Sequence, residues 1–167
     1  MNLLTPPVKS IHIELTNICT LQCPGCARTQ FINQWPQHWK NHSIDPEHLL
    51  NFIDVEVEHV LFCGNEGDPI YHKEFLFIVE QFKKRNVVVS IMTNGSHKDK
   101  IWWDSVTNLL TQQDIVIFSI DGLPHTSPQY RINSDWESIK IGIDSVVNSR
   151  CRSRWKFIPF KFIRDSQ

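Results

Sequence analysis

Five short runs of apolar residues alternate along this chain with segments of helical periodicity, and this alternation restricts the possible folds more than any other feature. Each run has the length and the β-branched or alternating composition of a strand. The predicted strands begin near residues 11, 59, 87, 115 and 154. Helical patterns separate them, as in residues 73–85, where Phe75, Ile78, Val79 and Phe82 would share one face. Repeated strand–helix units pair their strands in parallel, so the sequence predicts an α/β protein with a parallel sheet.

Two helix starts can be predicted from capping residues. Asp45 followed by Pro46 predicts an N-cap with proline in the first helical position. Ser134 and Glu137 have the spacing of a capping box, with Ser134 as the N-cap of the helix before the fifth strand.

Three cysteines lie in the loop that follows the first predicted strand. Cys19, Cys23 and Cys26 have the spacing C-x3-C-x2-C. Ligands of parallel α/β sheets collect at the carboxyl ends of the strands, which is where this loop begins. Soft thiolates favour iron–sulfur clusters, zinc or copper(I). The loop therefore predicts either an iron–sulfur site or a zinc site completed by a histidine or by a fourth cysteine such as Cys63.

The next three predicted strands also end in polar loops. The second opens into Gly-Asn-Glu-Gly-Asp-Pro at residues 64–69, the third into Thr-Asn-Gly at 93–95, and the fourth into Ser-Ile-Asp-Gly at 119–122. Glycines let a backbone approach a ligand closely, and an acidic side chain can accept hydrogen bonds from an ammonium group. An arginine such as Arg131 can bind a carboxylate with its planar fork. Taken alone, each of these features is also typical of an ordinary turn or surface.

The four motifs, in this order, resemble the radical S-adenosylmethionine (SAM) superfamily over about residues 10–160. The resemblance implies that Cys19, Cys23 and Cys26 bind a 4Fe-4S cluster, whose fourth iron is left for the amino and carboxylate groups of SAM. It further implies which residues contact SAM: Gly64, Asn65, Glu66, Thr93, Ser119, Asp121 and Arg131. Relatives usually have an aromatic residue before the third cysteine, near the adenine, whereas this chain has Gly25.

The same resemblance implies the fold and the reaction. The fold would be an incomplete (β/α) barrel of about five parallel strands with the helices outside. Residues 1–167 would form a single domain that stops after the fifth strand, so that a homodimer or a partner covers its open edge. An electron donor of the flavodoxin or ferredoxin type would allow SAM to be cleaved to a 5′-deoxyadenosyl radical, which abstracts hydrogen from the substrate. The fourth-strand motif resembles the branch that contains sulfatase-maturating and other peptide-modifying enzymes, which points to a peptide or protein substrate. No residue is identified as a catalytic acid, base or radical donor.

Two other classes of protein fit the same residues. One is a structural domain that holds zinc through the three cysteines, and the other is a scaffold that binds SAM or a partner without turnover. A histidine or Cys63 within bonding reach of the three cysteines would favour zinc.

Composition and charge restrict the possible binding partners and cellular location of the protein. The net charge of −1 carries no signal for nucleic acid or an anionic membrane, and no run of eighteen apolar residues occurs. No secretory signal begins the sequence, so we expect a cytoplasmic protein whose clustered cysteines serve metal or redox chemistry. Of the two other cysteines, Cys63 ends an apolar run and is expected to be buried, while Cys151 is expected to be an incidental thiol in a basic turn.

Overall fold

A parallel sheet of five strands forms the centre of the computed structural model, which describes residues 8–53 and 56–161. The strands lie in the sheet in chain order: β1 (Ser10–Ile13), β2 (His59–Phe62), β3 (Val88–Thr93), β4 (Ile115–Ser119) and β5 (Arg152–Lys156). The helices are α1 (Ala27–Gln34), α2 (Pro46–Phe52), α3 (Phe75–Lys84), α4 (Lys100–Leu109), α5 (Ser127–Tyr130) and α6 (Trp136–Val147). Short 3-10 helices occupy Pro36–His38 and Pro69–Tyr71. The prediction of an α/β protein with five parallel strands is confirmed.

Each strand pairs in parallel with the strand before it, as expected when a helix carries the chain back to the same edge. Phe62 lies beside Ile91, and Ile117 lies between Met92 and Arg154. This order is that of consecutive units in a (β/α) barrel. Within the described residues β1 and β5 do not pair with each other, so the sheet is an open arc.

The main core lies between the sheet and the longer helices. Phe62 of β2 packs edge-on against Phe82 of α3, with ring centroids 5.4 Å apart. Trp103 of α4 is fully buried and contacts Phe118 of β4 at 5.5 Å. The indole of Trp103 also lies against Gly142 of α6, where a Cβ atom would come within 2.6 Å of it. The helices therefore cover one face of the sheet, and the carboxyl ends of the strands stay accessible.

Of the two N-caps predicted from the sequence, one is confirmed and one is wrong. The carboxylate of Asp45 accepts a hydrogen bond from the His48 backbone N–H, as predicted. The predicted capping box at Ser134 is wrong, because the N-cap of α6 is Asp135, whose carboxylate accepts hydrogen bonds from the backbone N–H groups of Glu137 and Ser138. The backbone N–H of Ser134 instead donates to the carbonyl of Arg131 in the preceding turn.

The burial of the two cysteines outside the loop differs from what the sequence indicated. Cys151 is buried, with 6% of its surface exposed, whereas Cys63 is only partly buried. Cys63 lies just beyond β2, and its Sγ atom is 3.0 Å from Nε2 of His12 on the neighbouring strand. The expectation that Cys63 is a buried small residue is therefore wrong, because its side chain points away from the helices.

The two edges of the sheet are β1 and β5. Every residue of β5 is exposed, and 58% of the Trp155 surface is accessible even though its indole N–H donates to the Ile120 carbonyl at 2.6 Å. Within residues 8–53 and 56–161, no helix has the length and apolar character needed to cross a membrane.

Candidate active site

A cleft of about 300 Å³ opens at the carboxyl ends of the strands, and it is lined by loops that follow all five. Most residues expected to bind the cluster or SAM line this cleft: Cys19, Cys23, Cys26, Gly64, Asn65, Glu66, Thr93, Ser119 and Arg131. The expected residue that does not line it is Asp121. A larger groove of about 790 Å³ between α4 and α6 has a polar surface and contains none of these motifs.

The three loop cysteines border the cleft without forming a site for one metal ion. The Cys26 backbone N–H donates to the Cys23 carbonyl at 3.0 Å, which turns the chain just before α1 begins. Among the described residues, no three His, Cys, Asp or Glu side chains are grouped so that they could hold a single ion. Cys63 is not part of the cleft lining. A single zinc ion needs its ligands grouped around one point, whereas a cluster of several irons lets each thiolate bind a different metal atom.

Burial raises the pKa of two of the loop cysteines, Cys19 and Cys23. The pKa of Cys19 is raised from 9.0 to about 12, chiefly by burial and further by the negative charge of Asp68. Burial also raises the pKa of Cys23, although the positive charge of Arg131 opposes this. Without a bound metal both groups are therefore thiols at neutral pH. Metal binding must release their protons, because the thiolate is the ligand.

The loop after β2 is held against the cysteine loop by Glu14, a residue that the sequence did not single out. One carboxylate oxygen of Glu14 accepts hydrogen bonds from the backbone N–H groups of Glu66 (2.7 Å) and Gly67 (3.1 Å). A Cβ atom at Gly67 would clash with the carbonyl oxygen of Thr16 and lie only 2.6 Å from its carbonyl carbon. Only glycine allows this approach of two backbones, which leaves the exposed carboxylate of Glu66 at the cleft.

Asp68 connects the loops after β2 and β3 and was also missed as a site residue. Its carboxylate accepts hydrogen bonds from the Thr93 hydroxyl (3.0 Å), the Asn94 backbone N–H (2.6 Å) and the Ile70 backbone N–H (3.3 Å). Burial raises the pKa of Asp68 to about 6, while these hydrogen bonds act to lower it. The hydroxyl of Thr93 therefore donates its hydrogen bond to Asp68, although Thr93 borders the cleft.

Arg131 directly follows α5 and lines the cleft, and Asp121 is its counter-ion. Its Nη2 atom lies 2.6 Å from Oδ2 of Asp121, at ion-pair distance but without the alignment of a hydrogen bond. Asp121 is fully buried, and its other oxygen accepts a hydrogen bond from the Ile158 backbone N–H at 2.9 Å. Within the described part of the chain, Nε of Arg131 is buried and has no hydrogen-bond partner. A ligand carboxylate at the cleft would satisfy that N–H.

The aromatic ring of Tyr130 lies next to Gly25 of the cysteine loop, which has no aromatic residue of its own. The Tyr130 hydroxyl would be 2.7 Å from a Cβ atom at Gly25, so the glycine leaves room for the end of this side chain. The Tyr130 ring packs on Phe160, with centroids 4.2 Å apart, and borders the cleft. No pattern in the sequence predicted the contact between Gly25 and Tyr130, because these two residues are more than a hundred positions apart.

Comparison with known proteins agrees with this geometry. The family model that matches is described as the radical SAM superfamily and covers residues 13–158. A tungsten-containing aldehyde ferredoxin oxidoreductase cofactor-modifying protein from Pyrococcus furiosus is 29% identical over 125 residues, which are 70% of this chain and 32% of that protein. The radical SAM cyclopropyl synthase TigE from Paramaledivibacter caminithermalis is 24% identical over 157 residues, 83% of this chain and 32% of that protein. The chain thus spans about a third of the length of these curated relatives.

Two solved structures share the fold at low sequence identity. The crystal structure of BtrN in complex with AdoMet and 2-DOIA superposes with a TM-score of 0.53 at 15% identity, covering 91% of this chain and 58% of BtrN. The structure of TYW1 with a lysine-pyruvate adduct bound superposes with a TM-score of 0.55 at 16% identity, covering 89% of this chain and 54% of TYW1.

Proposed function

Because this chain belongs to the radical SAM superfamily, whose members use a 4Fe-4S cluster and SAM, we propose that it is an enzyme that begins its reaction by cleaving SAM reductively. When bound, the cluster and SAM supply one-electron cleavage of the bond to the 5′ carbon, and the 5′-deoxyadenosyl radical then takes a hydrogen atom from the substrate. The observation that supports this proposal most is the meeting of the cysteine loop with the loops after β2, β3 and β4 in one cleft.

The residues present fit a cluster with one open coordination position. Cys19, Cys23 and Cys26 would be its protein ligands after losing their protons. Three thiolates leave one of four irons without a protein ligand, as in catalytic metal sites that keep a position for substrate. Cys63 does not border the cleft and would not supply a fourth ligand.

The remaining cleft residues fit the polar and aromatic parts of SAM. Arg131, with its buried and unpartnered Nε, would bind the carboxylate, while Asp121 would hold the guanidinium in place. Glu66 would face the amino group. The ring of Tyr130 would supply the aromatic contact that Gly25 cannot. The other expected contacts remain those of Gly64, Asn65, Thr93 and Ser119.

We propose a peptide or protein as the substrate and a flavodoxin or ferredoxin as the electron donor. The Ser-Ile-Asp-Gly motif after β4 supports the peptide or protein class. A peptide or protein bound at the cleft would itself help to exclude water from the radical. The two curated relatives are named for different activities, cofactor modification and cyclopropyl synthesis, so the motif after β4, and not the relatives, supports this substrate class. The free thiols at all five cysteines suit a reducing compartment.

The proposal can be tested on the anaerobically reconstituted full chain. We expect close to one 4Fe-4S cluster per chain and, after reduction with dithionite in the presence of SAM, formation of 5′-deoxyadenosine. A variant with alanine at Cys19, Cys23 and Cys26 should bind no cluster. The matched control replaces the other two cysteines, Cys63 and Cys151, with alanine and should bind the cluster as the wild type does.

Iron, sulfide and zinc analysis of the same samples separates the alternatives. Stoichiometric zinc with no cluster would refute the enzyme and support a structural metal domain. A cluster that binds SAM but yields no 5′-deoxyadenosine with dithionite would support a scaffold that binds SAM without turnover.

A further inference from the structure

The three loop cysteines differ in the hydrogen bonds that their sulfur atoms receive. Sγ of Cys19 lies 3.4 Å from the Leu21 backbone N–H donor and 3.6 Å from Nδ2 of Asn94. The Cys26 thiol instead donates to the Asn65 carbonyl at 3.8 Å. Across residues 8–53 and 56–161, no side-chain N–H donor to the sulfur of Cys23 or Cys26 is present, and the Cys23 sulfur interacts with its own backbone N–H. Within that part of the chain, Cys19 therefore differs from the other two in receiving a side-chain N–H donor.

The orientation of the Asn94 amide is determined by the turn that contains it. Its Oδ1 atom accepts a hydrogen bond from the Ser96 backbone N–H at 2.8 Å, and its own backbone N–H donates to Asp68 at 2.6 Å. Exchange of the amide oxygen and nitrogen would place two donors, the NH₂ group and the Ser96 N–H, against each other. The NH₂ group must therefore be the end that faces Cys19. Only 5% of the Asn94 surface is exposed, so water competes little for this donor.

We propose that Asn94 is a positioning residue that raises the reduction potential of the cluster through an N–H···S bond to Cys19. This inference rests on the proposed function, in which Cys19 is a cluster ligand. Reduction adds negative charge to a cluster and its thiolates, and a donor aimed at a ligand sulfur stabilises that charge. The amide thus makes the reduced cluster easier to reach from a biological electron donor.

Asn94→Ser is the variant that isolates the sulfur contact. A serine hydroxyl can accept the hydrogen bond from the N–H two residues later, as an asparagine side chain does, so the turn is retained. The shorter side chain loses the amide donor to Cys19. Asn94→Leu removes the donor in a side chain of similar size and introduces no charge. Ser96→Ala is the matched control in the same turn, because the Ser96 hydroxyl bonds the Asp135 backbone N–H and does not contact the cysteines.

The test is a redox titration of the reconstituted full chain without SAM, followed by electron paramagnetic resonance of the reduced cluster. We expect the midpoint potential to move to a more negative value in Asn94→Ser and Asn94→Leu, by more than it moves in Ser96→Ala. Equal potentials in wild type and both Asn94 variants would overturn the inference, as would an equal shift in the Ser96→Ala control. Weaker SAM binding with unchanged potential would overturn it too, since Asn94 would then act on SAM.

A second measurement on the wild type does not depend on the stability of any variant. Protein labelled with ¹⁵N in its asparagine side-chain amides should show a weak ¹⁵N coupling to the reduced cluster in pulsed spectra. Absence of that coupling would refute the N–H···S bond. A wild type that binds no cluster would instead refute the proposed function itself, so the two failures can be distinguished.

Discussion

Replacing Gly67 with alanine should force the loop after β2 away from the cysteine loop. The new Cβ atom would clash with the Thr16 carbonyl oxygen and lie 2.6 Å from its carbon and 2.9 Å from Cα of Asn17. Ordinary contact begins near 3.4 Å, so the two segments must separate by about 0.8 Å to relieve the contact with the carbon and by more to clear the oxygen. All three atoms belong to the backbone, so no side-chain rotation can relieve the clash.

The expected cost is about 3 kcal/mol in the free energy of unfolding. Overpacking a well-packed site costs about 1–3 kcal/mol when neighbouring side chains can adjust, and a backbone contact belongs at the upper end of that range. Separation of the loops would also weaken two hydrogen bonds: the one from Gly67 to Glu14 (3.1 Å) and the one from the Asp68 N–H to the Ile18 carbonyl (2.9 Å).

Urea unfolding of the metal-free protein measures this change, with Gly25→Ala as the matched control. At Gly25 a Cβ atom would meet only the hydroxyl end of Tyr130, 2.7 Å away, and that side chain can rotate. Both substitutions restrict the unfolded chain in the same way, so this contribution cancels in their difference. The reasoning is refuted if Gly67→Ala destabilises the protein no more than Gly25→Ala does.

Three further predictions concern the cleft. Asp121→Asn should lower the free energy of unfolding by about 3 kcal/mol, because it leaves the largely buried guanidinium of Arg131 without its counter-ion. As a control in the same urea unfolding measurement, Asp144→Asn at an exposed position should change the free energy of unfolding by less than about 0.5 kcal/mol. Iodoacetamide should alkylate Cys19 about a thousandfold more slowly in the folded, metal-free protein than in urea, as measured by mass spectrometry. The reason is that a pKa raised to about 12 leaves about a thousandfold less thiolate than an ordinary thiol has. The alkylation rate should rise about tenfold per pH unit from pH 7 to 9. Cluster loading should also be favoured at higher pH, since it releases the thiol proton. An alkylation rate independent of pH would contradict the raised pKa of Cys19. Tyr130→Leu should raise the Kd for SAM about tenfold in calorimetry on the cluster-loaded protein, because stacking of a base on an aromatic ring contributes about 1–3 kcal/mol. Tyr130→Phe should bind as the wild type does, and equal weakening in both variants would show that the ring does not contact SAM.

The sequence predicted the architecture because its signals are local. Strand and helix periodicities repeat within ten residues, and repeated strand–helix units leave a parallel sheet as the natural arrangement. The fifth strand was expected from about residue 154 and begins at Arg152, since its exposed residues lack a buried face to mark its start. Ser134 was mistaken for the N-cap of α6 because the neighbouring Asp135 is an equally good cap, and only the backbone geometry selects between them.

The environments of the cysteines show where local signals end. Cys63 follows an apolar run, yet in a parallel strand successive side chains point to opposite faces, and this one points toward His12 on the face that the helices do not cover. Cys151 lies in a polar stretch but is buried where the chain passes from α6 into β5. Burial at both positions depends on the neighbouring elements and not on the adjacent residues.

The sequence by itself determined which residues could carry chemistry, because each motif is a short loop at the end of one strand, and parallel strands bring those ends to the same edge. Only the tertiary structure decided how the loops are held together. The contacts of Glu14 with the loop after β2, of Asp68 with the loop after β3, and of Tyr130 with Gly25 join residues at least 25 positions apart. Such contacts depend on strand order and on the close approach of backbones in space, which no local pattern of residues specifies.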